Sequence, residues 1–270
     1  MNVFQSICLG LLQGITEFLP VSSSGHLAVV QHFFNLEDIP LIFDICLHVA
    51  TLFAVLLFFR NTIFELIAAF IRMIIRKPLP DDKPKQMMIF SIIVATVITG
   101  LIGVFFSGYV KNLSIKFVCA GFIITGLLLI LATFIDKKNK NAETTPKKPL
   151  TIMNGVWCGL AQGLGTLPGI SRSGSTISGA LLSGIDRQTA GEYSFLLSIP
   201  AILGAFLLEL RDLDKLLTVV PISSLALGCI CAFVSGLGAL FLLMKLIKHG
   251  KLGFFAIYLI PLGIIGLFLF

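Results

Sequence analysis

Charge is what this sequence of 270 residues lacks. Only 13% of it is Asp, Glu, Lys or Arg, where an ordinary soluble domain carries about 25%. In its place 56% is hydrophobic, with a mean hydropathy of +0.99, which excludes both a soluble domain and a disordered chain. The first 59 residues hold no Lys or Arg, so the basic start of a cleaved secretory signal is missing and insertion through the chain's own helices is expected. The six cysteines (Cys8, Cys46, Cys119, Cys158, Cys229 and Cys231) lie in apolar stretches without a CxxC spacing. They are expected as small packing residues, not as disulfides or zinc ligands. No basic face is interleaved with aromatics, so nucleic acid is not an expected partner. Alternating strand patterns of about ten residues are also missing, which argues against a transmembrane barrel.

What remains is long apolar runs. About 20 residues cross about 30 Å of hydrocarbon, and six segments qualify: 41–59, 87–107, 115–135, 188–209, 217–244 and 253–270. Two further stretches, 2–34 and 152–184, are broken near the middle by Pro, Gly and hydroxyl residues. Each is expected to enter the membrane and turn back, since irregular backbone at that depth is tolerated where protein or a wet cavity surrounds it. The expected fold is therefore an all-α integral membrane protein with six transmembrane helices plus two re-entrant helix hairpins. Connections 60–86 and 136–150 carry six and five basic residues and should be cytoplasmic; fifteen basic residues then face inward and four outward. Both termini are expected outside, with residues 61–76 an amphipathic helix along the inner surface.

The two hairpins repeat one another at a shift of 149. Gly10-Leu-Leu-Gln13-Gly14 returns as Gly159-Leu-Ala-Gln162-Gly163, and Val21-Ser22-Ser23-Ser24-Gly25 as Ile170-Ser171-Arg172-Ser173-Gly174. One hairpin followed by three crossings inverts the second copy, so the chain is expected as a single membrane domain. Its parts are a first repeat 1–135, a basic linker 136–150 and a second repeat 151–270. Such inverted repeats place a polar site where their broken helices meet.

Gln13 and Glu17 stand one helical turn apart, and Ser22, Ser23, Ser24 and His26 follow Pro20 at the start of the return helix. The second hairpin offers Pro168-Gly169-Ile170-Ser171-Arg172-Ser173-Gly174-Ser175-Thr176, including the one Arg at membrane depth. Both return helices begin at these turns, so their free N–H groups and positive dipole ends would meet at an anion. A charge inside the bilayer costs roughly +3 kcal/mol by insertion scales, which makes Glu17 and Arg172 functional candidates. A Glu17–Arg172 lock between hairpins would explain the charges alone, and helix capping would explain any one serine, but neither explains the whole cluster. Asp44 and His48 share a helix face and either support this site or snorkel to the interface. Glu192 is expected to pair with Arg187 or a nearby polar group.

These residues resemble a known family, the bacterial undecaprenyl-diphosphate phosphatases of the BacA type. The resemblance runs along the whole chain. It is most specific in Gln13-Gly-Ile-Thr-Glu17-Phe-Leu-Pro-Val-Ser22-Ser23-Ser24-Gly-His26, similar to the family's acidic motif and serine-histidine turn, and in Pro168-Gly169-Ile-Ser171-Arg172-Ser173-Gly-Ser-Thr176. Gln13 stands where many members carry Glu, which shifts any metal-binding role toward Glu17. The resemblance implies hydrolysis of an isoprenyl diphosphate lipid to the monophosphate at the outer face of the bacterial inner membrane, with Mg²⁺ or Ca²⁺ as cofactor. It implies substrate and membrane lipid as partners and leaves a homodimer open. Ser23, or else Ser22, is expected as nucleophile, with His26 and Glu17 managing its proton and Arg172 neutralising phosphate charge. Gln13, Ser24, Gly169, Ser171, Ser173 and Thr176 are expected to bind substrate. A His26 nucleophile or a directly activated water needs the same residues, and a lipid-phosphate carrier or a structural subunit is a competing reading of the repeat.

Overall fold

A computed structural model describes residues 1–36, 39–110, 113–141 and 149–270. The basic residues Lys111, Lys147 and Lys148, and residues 142–148 of the expected linker 136–150, lie outside the described residues. The described part is helical throughout. The first half comprises α1 (Val3–Phe18), α2 (Ser23–Phe33), α3 (Ile42–Phe58), α4 (Arg60–Ile74), α5 (Asp82–Val110) and α6 (Ile115–Asn141). The second comprises α7 (Ile152–Leu164), α8 (Arg172–Leu182), α9 (Arg187–Glu209), α10 (Leu213–Val219), α11 (Ile222–Lys248) and α12 (Phe254–Leu269).

The two opening helices start alike. The Asn2 side chain accepts from the Gln5 backbone while Gln5 accepts in return from the Asn2 N–H, at 2.8 and 2.9 Å. Thr151 and Asn154, 149 residues later, close the same capping box. Pro20 and Pro168 lie beyond the ends of α1 and α7, where proline cannot continue a helix.

Each of the six expected crossings falls on a helix. By length and composition, four are able to cross a membrane: Asp82–Tyr109, Ile115–Lys138, Arg187–Val219 and Ile222–Lys248. A fifth follows if α3 and α4, bent by 79° to one another, count as one span. α12 has 16 residues, and the crossing expected from residue 217 starts later because Pro221 caps α11 and α10 precedes it. Only 17% of the apolar window of α5 is buried, an arrangement that water would penalise and hydrocarbon accepts. The chain is therefore a multi-pass membrane protein. α4 leaves Phe64, Ile67, Phe70, Ile71 and Ile74 exposed, and Arg72 near its end forks onto Asp82 at 2.8 and 2.6 Å, fixing the turn into α5.

Packing exchanges the halves. α1 lies along α11 and α7 along α5, while α6 meets α12 and α3 meets α9. Small residues allow this closeness. A Cβ on Gly10 would strike the carbonyl of Gly228, and one on Gly159 would lie 2.8 Å from the Cα of Ala95. All six cysteines are free thiols, as expected. Arg187 pairs with Asp136 through its Nε at 2.6 Å, not with Glu192 as the sequence suggested.

Candidate active site

The breaks between α1 and α2 and between α7 and α8 meet at one buried carboxylate. Glu17 projects from the last turn of α1 and its side chain is 3% exposed. Its Oε2 accepts from Ser23 Oγ at 2.6 Å and from Gln13 Nε2 at 2.9 Å, and lies 3.3 Å from His48 Nε2. Its Oε1 accepts from the guanidinium of Arg172. Three donors and a neighbouring imidazole on one carboxylate supply the counter-charge and hydrogen bonds that a buried anion requires.

Helix starts place two of these donors. Ser22 caps α2, its Oγ accepting from the Gly25 N–H at 3.4 Å, and Ser171 caps α8 in the same way from Gly174 at 3.0 Å. The first residue of each helix is then Ser23 in one half and Arg172 in the other, equivalent positions at the shift of 149. Both turn toward Glu17. Ser22 takes φ +68°, a conformation costing a residue with a side chain on the order of 1–3 kcal/mol and found typically at functional turns. Gly169 sits at φ +89° with its Cα so close to α6 that a Cβ would strike the carbonyl of Val118. Thr125 completes that seam, donating to the Gly169 carbonyl at 3.3 Å and accepting from the Ser171 N–H at 3.0 Å.

A cavity of about 200 Å³ opens at this meeting point. Of the expected site residues, Glu17, Ser22, Ser23, Ser24, Ser171 and Arg172 line it. Gln13 stands behind Glu17. Gly169, Ser173 and Thr176 serve the frame: Ser173 Oγ lies 3.2 Å from Ser171 Oγ, and Thr176 Oγ1 donates within its own helix and meets Ser194. His26 is not brought to the cluster. Its Nδ1 lies 2.8 Å from the Ser22 carbonyl and its Nε2 2.8 Å from Tyr258 Oη, with the ring stacked on Tyr258 and tilted against Phe122. It faces a second, mostly apolar cavity of about 660 Å³.

The imidazole in the first cavity is instead His48 of α3, its Nδ1 2.7 Å from the Asp44 carbonyl. Its ring nitrogens thus face two acceptors, a carbonyl and a carboxylate. Asp44 is itself held by Gln31 Nε2 at 2.7 Å, so this pair supports the site rather than snorkelling. Thr99, Gln162 and Thr166 also line the cavity and were not expected as site residues. For two of them a signal existed, since Gln162 and Thr166 are the equivalents of Gln13 and Glu17 at the shift of 149.

The arrangement is a hydroxyl hydrogen-bonded to a carboxylate, beside a guanidinium and two helix N-termini, with a cavity in front. Chemically this is an activated alcohol facing an anion-binding cradle. Comparison with known proteins gives the family. The profile of the family described as Bacitracin resistance protein BacA matches residues 6–265. The chain is 55% identical to the undecaprenyl-diphosphatase of Treponema denticola, covering 98% of this chain and 96% of that protein. It is 41% identical to those of Borreliella burgdorferi strain B31 and Carboxydothermus hydrogenoformans, each covering 98% of this chain and 97% and 96% of theirs.

Proposed function

The chain belongs to the bacitracin resistance protein BacA family, and from that membership we propose that it hydrolyses undecaprenyl diphosphate to undecaprenyl phosphate and inorganic phosphate. The observation that carries the chemistry is Ser23 Oγ donating at 2.6 Å to a carboxylate that Arg172 also holds. A carrier would need to grip a phosphate but would not need a hydroxyl poised on a base, and nothing favours that reading.

In the substrate-free site Arg172 and Glu17 neutralise each other. An entering diphosphate, with several negative charges, draws the guanidinium onto its oxygens, where a planar fork binds two at once. Glu17 then keeps Ser23 and loses its strongest partner, which raises its appetite for a proton just as the phosphate arrives. Ser23 Oγ attacks the terminal phosphorus, its proton passes to Glu17 Oε2, and the bond to the bridging oxygen breaks, releasing the isoprenyl monophosphate with that electron pair. Arg172 and the free N–H groups at the starts of α2 and α8 stabilise charge on the equatorial oxygens. Glu17 returns its proton to solvent and takes another from the water that attacks the Ser23 phosphoester. Glu17 passes that proton to the Ser23 oxygen as the ester bond breaks, and inorganic phosphate is released. His26 holds the Ser22 carbonyl and so positions the turn; His48 steadies Glu17.

The expected Mg²⁺ or Ca²⁺ finds a poor seat here. Both Glu17 oxygens already accept from protein donors, one of them cationic, and among the described residues no group of three or more His, Cys, Asp or Glu comes together to hold an ion. These residues do not make a metal cage, and no step is derived through one.

Several finer features belong to the same proposal. Six crossings with two re-entrant hairpins are supported by the helices at every expected position and by α1–α2 and α7–α8 breaking at the site. An inverted repeat of 1–135 and 151–270 is supported by the exchanged packing of α1 on α11 and α7 on α5. The excess of basic residues in connections 60–86 and 136–150 supports both termini, and the mouth of the cavity, lying on the outer side of the cell's inner membrane. The test is purified protein in detergent given undecaprenyl diphosphate: inorganic phosphate is expected, and its absence with intact protein would refute the function.

A further inference from the structure

One buried acceptor of a residue in the cavity wall takes no part in the chemistry above. Gln162, on the last turn of α7, is 0% exposed and lines the same cavity as Glu17, Ser23 and Arg172. Its Nε2 donates to Thr99 Oγ1 at 3.2 Å, and the Thr99 hydroxyl gives its own proton to the Gly159 carbonyl at 3.1 Å. Thr99 therefore offers only lone pairs to Gln162, which fixes the amide with nitrogen toward Thr99 and oxygen away from it. That oxygen, Gln162 Oε1, has no hydrogen-bond partner. Buried acceptors are almost always paired, and the exceptions call for an explanation, one of them being a missing ligand. The equivalent glutamine of the first half, Gln13, also has an unpaired Oε1, but its Nε2 backs Glu17 and it does not line the cavity.

A carbonyl oxygen in a phosphate cradle repels bare phosphate oxygens, so its ligand must be a donor. Hydrolysis supplies one. The attacking water carries two O–H groups, and Glu17 has room for one of them. We propose that Gln162 Oε1 accepts the other, aiming the water's lone pair at phosphorus. This inference rests on the proposed hydrolysis and names the residue that selects water as the final acceptor. As the water oxygen bonds to phosphorus and the Ser23 ester bond breaks, one water proton moves to Glu17 and on to the departing Ser23 oxygen. The second stays on the oxygen, still held by Gln162, and leaves with the hydrogenphosphate. Gln162 transfers no proton; it positions the water, as glutamines do in other phosphoryl transfers.

Methanol separates this role from a structural one. Methanol has a single O–H, which Glu17 takes, so it gains nothing from a second acceptor. Full-length protein in detergent, given substrate labelled in its terminal phosphate in a fixed water–methanol mixture, partitions label between inorganic phosphate and methyl phosphate. Gln162→Leu is expected to raise the ratio of methyl phosphate to inorganic phosphate about tenfold, the worth of one hydrogen bond to the attacking water. Gln162→Glu, which keeps an acceptor oxygen, is expected to stay near the wild-type ratio. Thr99→Val, which frees the amide to turn, is expected to raise the ratio in the same direction and replaces Gln162→Leu should that variant fail to fold. Because the readout is a ratio, a general loss of activity does not move it. A wild-type ratio in both Gln162→Leu and Thr99→Val would overturn the proposal while leaving hydrolysis intact. A wild-type protein that releases no phosphate at all would take down the hydrolysis and the proposal together.

Discussion

Replacing Arg172 by Ala tests stability and chemistry at once, and the two are separable. The Glu17 side chain is 3% exposed, and among the described residues Arg172 is its only permanently cationic partner. Removing one member of a buried ion pair costs about 3–5 kcal/mol because the other is left as an uncompensated charge. Ser23 and Gln13 remain as donors to Glu17 and His48 stays beside it, which places the expected loss at the lower end of that range, about 3 kcal/mol. At roughly 2–4 °C per kcal/mol for a chain of this size, the melting midpoint falls by about 6–12 °C. Adding Glu17→Gln removes the stranded charge, so the double variant recovers most of that loss, with a coupling of about 2 kcal/mol between the sites. Turnover does not recover, because both the phosphate-binding fork and the base are gone. Thermal unfolding in detergent beside phosphate release reads both quantities. An Arg172→Ala variant that hydrolyses at the wild-type rate, or a double variant no more stable than Arg172→Ala, would refute the reasoning.

The two histidines are predicted to differ in kind. His48→Ala removes the imidazole that lies against Glu17 and is expected to lower turnover about tenfold or more. His26→Ala misplaces the Ser22 turn and lowers turnover while leaving the shape of the pH profile as in the wild type; loss of one limb of that profile in His26→Ala would make His26 the proton carrier. Mn²⁺ titrated into substrate-free protein is expected to show no saturable site by electron paramagnetic resonance, since Glu17 is fully engaged; a stoichiometric site abolished by Glu17→Gln would show that an ion displaces Arg172.

Much of the frame was legible because the repeat is written in residues whose roles are local. Gly10 and Gly159, and the serines before Ser23 and Arg172, each act through a neighbour in sequence or through close backbone approach, and period and identity reveal such roles. Glu17 and Arg172 were legible because a charge at membrane depth is costly. Which imidazole joins them was not. His26 lies in the motif but on the far side of α2, against Tyr258, whereas His48 arrives from α3 through tertiary packing that no spacing encodes. Gln162 was visible as the copy of Gln13, but the two diverged in use: one braces the base and the other faces the cavity. The number of crossings is less legible than the positions of helices, because α3 and α12, at 17 and 16 residues, fall short of a full span by themselves.

The account turns on Ser23 receiving the phosphate from a pocket built by both hairpins, and trapping that phosphate tests it most directly. Wild-type protein mixed with substrate labelled in its terminal phosphate, quenched in acid within one turnover and digested, is expected to carry label on Ser23. Label on Ser22 or His26, or unlabelled protein during steady hydrolysis, would contradict it.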